Sequence, residues 1–287
     1  MWDLLTGTLE LLIDGIARGL IFSMLGLGIT VVFGLGGVLN LAIGVFAVLA
    51  VLISLEIIGL GGGLAIAIPL TLGLLAVIAL AIDRTLLSLV YRSEGEERIV
   101  LGIFVTLGLA IFLDGVLVRL RPSGYTLQHG IGSITVAGVH IRGSSIAIIL
   151  LSLIVLGLLY YLFAKTYLGR ATRTVLQDET GAILCGISPR RMRTFVFVLS
   201  IVIAGVAGIL YSFSARVFIA SGLELTIYAL IVSVVGGVRS IIGAVTAGLL
   251  LGIVAVFASA WIGAYVAELI LLGAAILVLI VRPEQIT

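Results

Sequence analysis

Long runs without a charged residue constrain this chain more than any other feature of its sequence. Two of them, Ile146–Phe163 and Thr194–Ala215, flank the polar segment 165–193. Residues of the set AVILMFWYC make up 62% of the chain. Charged residues make up 10%, where soluble domains average about 25%. So little polar surface cannot cover a water-soluble body, and the chain must therefore contact lipid.

The apolar runs are long enough to cross a membrane, which takes about 20 residues per helix. Strong candidate spans are residues 16–33, 40–59, 64–82, 99–118, 144–164, 194–215, 243–260 and 264–281, with a weaker one near 224–237. We therefore predict an all-α polytopic membrane protein with eight to nine transmembrane helices in a single domain over 1–287. The alternation in GSITVAGVHIRG predicts a small β-hairpin within 125–142, on the outer face.

Basic residues give a predicted orientation, because Lys and Arg concentrate in cytoplasmic loops. Six of the sixteen basic residues lie in 165–193. We therefore predict that the chain lies in the plasma or inner membrane of the cell. The loop 165–193 is predicted to face the cytoplasm. The C-terminus is then cytoplasmic as well, provided that the weak span 224–237 crosses.

Two similar stretches interrupt the apolar pattern about 200 residues apart. One is Gly36-Gly37-Val38-Leu39-Asn40-Leu41-Ala42-Ile43-Gly44 and the other is Gly236-Gly237-Val238-Arg239-Ser240-Ile241-Ile242-Gly243. Paired helix breaks in the two halves of a transporter point to its translocation path. The candidate path residues are Gly36, Gly37, Asn40, Gly44, Gly236, Gly237, Ser240 and Gly243. Tight turns at the membrane face explain the same pattern.

Polar residues inside the spans are few. They are Thr30, Ser54, Thr106, Ser200, Ser233 and Thr246. Each is expected to bond mainly within its own helix. Two pairs of glycines, Gly15 with Gly19 and Gly248 with Gly252, have the spacing that permits close helix packing.

The segment 165–193 contains residues that are typical of the start and the end of a short helix. Asp178 is a good N-cap, Glu179 suits the first turn, and Gly186 is placed to end the helix. Ala182, Ile183 and Ile187 are then available for docking. A basic loop that merely follows the positive-inside distribution is the alternative.

Several functional classes lack their motifs. The single lysine, Lys165, follows Ala164, so no Walker A sequence is present and no ATP hydrolysis is expected. The single cysteine and the two histidines form no metal-binding pattern, and no cofactor is expected. The net charge of +2 gives no reason to expect nucleic acid as a partner.

Four segments, taken in order along the chain, carry a resemblance to a known family. They are GLIFSMLGLGITVVFGLGGVLNLAIG, LGRATRTVLQDETGAILCGISPRRMR, LIVSVVGGVRSIIGAVTAGLLLGI and LVLIVRPEQI. Together they resemble the permeases of branched-chain amino acid ABC transporters. Departures from the family pattern include Ile43, where many members have His, and Arg239 in place of Gly.

The resemblance implies a permease subunit of an ABC importer for branched-chain amino acids or similar small polar solutes. The implied partners are a second, related permease, two ATP-binding subunits and an external solute-binding protein. The resemblance also implies that the 178–187 helix couples to the ATPase, through Asp178, Glu179, Ala182, Gly186 and Ile187. Two alternatives remain open: an ABC permease for urea or short amides, and a secondary transporter or channel that works without ATPases.

Overall fold

The computed structural model describes residues 2–93, 95–120, 124–127, 132–136 and 138–281. The helices are α1 (Trp2–Gly36), α2 (Ile43–Gly59), α3 (Leu64–Ile82), α4 (Ser88–Val90), α5 (Gly95–Leu120), α6 (Gly143–Lys165), α7 (Tyr167–Gln177), α8 (Glu179–Leu184), α9 (Pro189–Ser214), α10 (Ser221–Gly236), α11 (Ile241–Trp261) and α12 (Ala264–Val281). A π-helical turn, Asp83–Leu87, joins α3 to α4.

The predicted all-α polytopic fold is confirmed. Seven helices in the described residues are long and apolar enough to cross a membrane, and two shorter apolar helices, α2 and α10, accompany them. The weak span 224–237 is the helix α10. Every predicted span therefore coincides with an apolar helix, because uncharged runs of this length can satisfy their backbone groups in lipid only by coiling.

The predicted hairpin is also present. Strands β1 (Ile134–Val136) and β2 (Val139–Ile141) pair antiparallel, with Thr135 opposite His140. A separate bridge joins Tyr125 to Val217. Residues 128–131 and 137 of the predicted segment lie outside the described residues, as do residues 282–287 of the C-terminus.

Helix α1 lies at the centre of the bundle. In the apolar stretch of α1 that is long enough to cross a membrane, 83% of the residues are buried, whereas in that of α12 the share is 17%. The two glycine pairs of the sequence face each other here: a Cβ on Gly252 would lie 2.2 Å from the Cα of Gly19. Likewise, Gly15 lies against Ile253 and Gly248 against Ser23. These contacts run in opposite order along the two helices, so α1 and α11 are antiparallel at backbone contact.

The bundle has two distinct ends. At the hairpin end, the backbone N–H of His140 donates to Glu10 (2.7 Å) and the hydroxyl of Ser145 donates to Asp14 (2.5 Å). At the loop end, the last turns of α1 share a cavity with α7. Helix α1 therefore extends through the whole bundle, from the β-hairpin to the segment that carries α7 and α8.

Candidate functional site

The first helix break lies between α1 and α2. Gly37 ends α1 with a φ of +61°, in the left-handed region that glycine adopts without strain. Asn40 is fully buried, and its Oδ1 accepts from the N–H of Ala42 (3.1 Å). Its Nδ2 has no hydrogen-bond partner within the described residues. A free amide donor thus sits inside the bundle, next to non-helical backbone.

Two threonines from other helices hold this break. The Thr106 hydroxyl donates to the Leu39 carbonyl (2.8 Å) and accepts from the Leu41 N–H (3.2 Å). The Thr226 hydroxyl accepts from the Gly44 N–H (3.1 Å) and lies 3.3 Å from the Leu41 carbonyl. These bonds satisfy backbone groups that a continuous helix would have paired. The Thr226 hydroxyl also bonds to the Gly222 carbonyl of its own helix (2.9 Å), but its partners in the first break are 182 and 185 residues away in the sequence, so no local pattern reveals them.

Gly44 lies at a backbone contact between α2 and α10. A Cβ at this position would be 2.0 Å from the Gly222 carbonyl oxygen, so only glycine fits. The structure places this predicted path residue at a helix crossing, as the second residue of α2.

The second break, between α10 and α11, is held by its own residues. Gly237 has a φ of +89°, and Ser240 caps α11 by accepting from the Gly243 N–H (3.0 Å). Gly236 and Gly243 face each other so closely that a Cβ on Gly243 would lie 1.8 Å from the Gly236 carbonyl oxygen. Arg239 and Ser240 are exposed.

The last turns of α1, which lead into the first break, lie against α10 and the second break. The hydroxyls of Thr30 and Ser233 are 2.9 Å apart, and Gly26 lies against Val232. Gly34 faces the Val238 carbonyl. These contacts follow the same order along both helices, so α1 and α10 run parallel and break at the same end.

The polar residues of the spans bond less locally than predicted. The Thr30–Ser233 bond and the Ser54–Thr71 bond (2.9 Å) both join different helices, so the prediction was wrong for these residues. Thr106 bonds both to its own helix and to the first break. Thr246 bonds to Ile242 and Gly243 of its own helix, as predicted. A hydroxyl that lies where two helices meet can therefore pair across the contact instead of within its own helix.

A cavity of about 480 Å³ lies at the loop end, between the last turns of α1 and the second break. Its lining comes from α1, α6, α7 and the second break, and includes Thr30, Gly34, Phe163, Arg173, Arg239 and Ser240. The lining is mostly apolar, with two guanidinium groups at its edge.

The predicted short helix is α8, which ends at Leu184, one residue before Cys185, the last residue that the sequence predicts for it. Asp178 occupies the N-cap position, but its side chain makes no capping hydrogen bond. The C-terminus is a Schellman motif: Gly186, with a φ of +75°, donates to the Ile183 carbonyl (2.9 Å), and Ile187 donates to the Ala182 carbonyl (2.9 Å). The helix thus has a defined stop.

The faces of α8 differ from the sequence interpretation. Ala182 is fully buried against the bundle, so it is not available for docking. Ile183 and Leu184 are 58% and 84% exposed, and the sequence interpretation missed Leu184. Glu179 is held by the Arg193 guanidinium of α9 at 2.6 Å. An apolar edge therefore points away from a helix that is tied down on its other side.

Nothing in the described residues forms a cluster of three or more His, Cys, Asp or Glu side chains that could hold a metal ion. Cys185 is exposed, and the Nδ1 atom of His140 lies 2.9 Å from the Thr135 hydroxyl in the hairpin.

Known proteins resemble this chain in sequence and in fold. The chain is 25% identical to the high-affinity branched-chain amino acid transport system permease protein LivH of Escherichia coli K12, over 97% of this chain and 94% of that protein. It is 27% identical to the corresponding protein BraD of Pseudomonas aeruginosa, over 97% and 95%. A chain of the solved structure of PsaBC from Streptococcus pneumoniae in complex with Fab superposes with a TM-score of 0.53 at 16% identity, covering 96% and 92%.

A family model described as the branched-chain amino acid transport system permease component matches residues 11–281. That range contains both helix breaks and α8. The chain is a multi-pass membrane protein and belongs to the family of branched-chain amino acid transport system permease components.

Proposed function

We propose that this chain is a permease subunit of an ABC importer that carries branched-chain amino acids, or similarly small polar solutes, into the cell. ATP is hydrolysed on separate subunits. Its relatives LivH and BraD are permeases for branched-chain amino acids. The observation that carries the proposal is the position of α8, a helix with a defined C-terminal stop and an exposed apolar edge that is tied to α9 at the loop end.

The proposed complex contains a second, related permease, two ATP-binding subunits and an external solute-binding protein. The segment 165–193 and the C-terminus face the cytoplasm. Helix α8 docks on an ATP-binding subunit through Ile183 and Leu184, which are exposed apolar side chains in a segment otherwise rich in charge. Glu179, Ala182, Gly186 and Ile187 hold the helix in place, with Asp178 at its start.

The proposed path runs along the paired breaks. Asn40 supplies a buried amide donor in the first break, and Ser240 a hydroxyl in the second. The backbone turns at the two breaks because of Gly36, Gly37, Gly236, Gly237 and Gly243, while Gly44 keeps α2 close to α10. A change in the packing of α1 against α10 would open or close this route to the cavity at the loop end.

The direct test is uptake by proteoliposomes that contain the complex purified from native membranes. We expect uptake of labelled leucine to require ATP and to persist when ion gradients are collapsed. Uptake that follows an ion gradient without ATP would instead establish the secondary transporter.

A point substitution tests the docking edge. Leu184→Asp should remove the ATP-binding subunit from the purified complex and abolish uptake, because a charge would have to be buried in the interface. Leu60→Asp is the matched control, since Leu60 is 88% exposed in the turn between α2 and α3. It should leave the co-purified ATP-binding subunit unchanged. Equal recovery of that subunit with both variants would refute docking through α8.

A further inference from the structure

A buried ionic cluster lies at the loop end, where the helix α3 passes into α4. Asp83, the first residue of the π-helical turn, is fully buried. Its carboxylate accepts from the Arg190 guanidinium (3.2 Å) and from the Thr194 hydroxyl (2.7 Å), and Arg190 also reaches its carbonyl oxygen (3.0 Å). The start of α9 is thereby fastened to the end of α3.

Tyr91 extends this cluster towards α8. The guanidinium carbon of Arg190 lies 4.9 Å from the centre of the Tyr91 ring, and that of Arg193 lies 5.5 Å from it. Both distances are within the range of a cation–π contact. Burial, together with the negative charge of Asp83, raises the pKa of Tyr91 above its ordinary value, so the ring stays neutral. One aromatic ring thus lies against two guanidinium groups of α9.

Arg193 completes the connection. Its side chain is 7% exposed, and its Nη2 lies 2.6 Å from the Glu179 carboxylate in the first turn of α8. Glu179 itself is 45% exposed. If α8 moved away alone, the Arg193 charge would remain buried without its partner, which is strongly unfavourable. Movement of α8 therefore carries Arg193, and with it α9.

We propose that the chain Glu179–Arg193–Tyr91–Arg190–Asp83 is the link that transmits movement of α8 to α9 and α3. The proposal rests on the coupling role proposed for α8. Arg193 and Tyr91 act as positioning residues, with no contact to solute or nucleotide. Helix α9 packs against α1 and α2, the helices on either side of the first break. Through α9, the link therefore reaches the two helices that border the first break of the proposed path.

The test measures solute uptake and ATP hydrolysis on the same reconstituted complex and compares their ratio between variants. Arg193→Glu should keep ATP hydrolysis while uptake per ATP falls about tenfold or more, as the loss of a strongly coupled pair predicts. The double variant Glu179→Arg with Arg193→Glu restores opposite charges and should recover most of the ratio. Arg191→Glu is the matched control, because Arg191 is exposed and adjacent. It should leave the ratio unchanged.

A second pair of variants tests the link if the Arg193→Glu protein does not assemble into the complex. The Tyr91 hydroxyl has no hydrogen-bond partner in the described residues, so Tyr91→Phe should preserve the ratio of uptake to ATP hydrolysis. Tyr91→Leu removes the ring between the two guanidinium groups and should lower that ratio. Equal ratios for both variants, or a charge-swapped pair no better than Arg193→Glu, would overturn the link.

The two proposals fail differently. If the wild-type complex contains no ATP-binding subunit, or if its uptake ignores ATP, the proposed function is wrong. If the wild type couples uptake to ATP and all the link variants do so equally well, only the link is wrong.

Discussion

The two helix breaks share a sequence pattern but differ in what holds them. The first, between α1 and α2, is buried and depends on hydroxyls from α5 and α10. The second, between α10 and α11, exposes Arg239 and Ser240 and is capped by its own serine. A repeated Gly-Gly-Val thus specifies a local turn, while the surrounding helices decide how strongly that turn is fixed.

The largest difference is expected at Gly44. Gly44→Ala would place a Cβ 2.0 Å from the Gly222 carbonyl and force α2 away from α10, at a cost of about 3 kcal/mol. Gly115→Ala on α5 is the control, because no atom lies within 4 Å of the added Cβ. Thermal unfolding in detergent should show a large loss for the first variant and none for the second. Similar midpoints would contradict the close contact.

The next effect concerns the hydroxyl that holds the first break. Thr226→Val keeps the shape of the side chain but leaves the Gly44 N–H without its partner, which should cost about 2 kcal/mol. Thr246→Val, at a threonine whose bonds in the described part of the chain lie within α11, should cost less than half of this. Denaturant titration in mild detergent measures both. Equal losses of unfolding free energy would mean that the first break, like the second, is stabilised by its own residues and not by hydroxyls from other helices.

A smaller effect on unfolding stability is expected from substitutions at the turn glycines, Gly37 of the first break and Gly237 of the second. Gly37→Ala forces alanine into the left-handed region and should cost about 1 kcal/mol, whereas Gly37→Asn should be better tolerated. Gly237 has a φ of +89° and a ψ of +119°, a conformation that is open almost only to glycine. Both Ala and Asn should therefore be poorly tolerated there. If Asn restores stability at Gly237 as well, the two turns do not differ.

The smallest effect is expected at Arg239, where the sequence departs from the family pattern. Its side chain is exposed at the edge of the cavity, so Arg239→Ala should change unfolding stability by no more than about 0.5 kcal/mol. Uptake kinetics of the same variant show whether this guanidinium affects the solute. A stability loss comparable to that of Thr226→Val would show that the second break depends on the contacts of the Arg239 side chain as well as on its serine cap.

The sequence predicts the helices well, because uncharged runs have few alternatives in lipid. It also predicts the turn at Gly186 and the end of α8, which are local features. It does not predict the partners of Thr226, the burial of Ala182 or the exposure of Leu184, because those depend on how distant helices pack. The position of the second break beside the last turns of α1 also follows from the parallel packing of α1 and α10, which neither segment encodes alone.

The central claim is that α8 meets an ATP-binding subunit, and the chain's single cysteine allows the most direct test. Cys185 is exposed at the end of α8, so a thiol-directed photo-crosslinker can be attached there in the purified complex. We expect the ATP-binding subunit in the crosslinked product, identified by mass spectrometry. The variant Cys185→Ser with Leu60→Cys, labelled at the opposite end of the bundle, should not capture it. An ATP-binding subunit absent from the Cys185 product, or captured equally from position 60, would contradict the account.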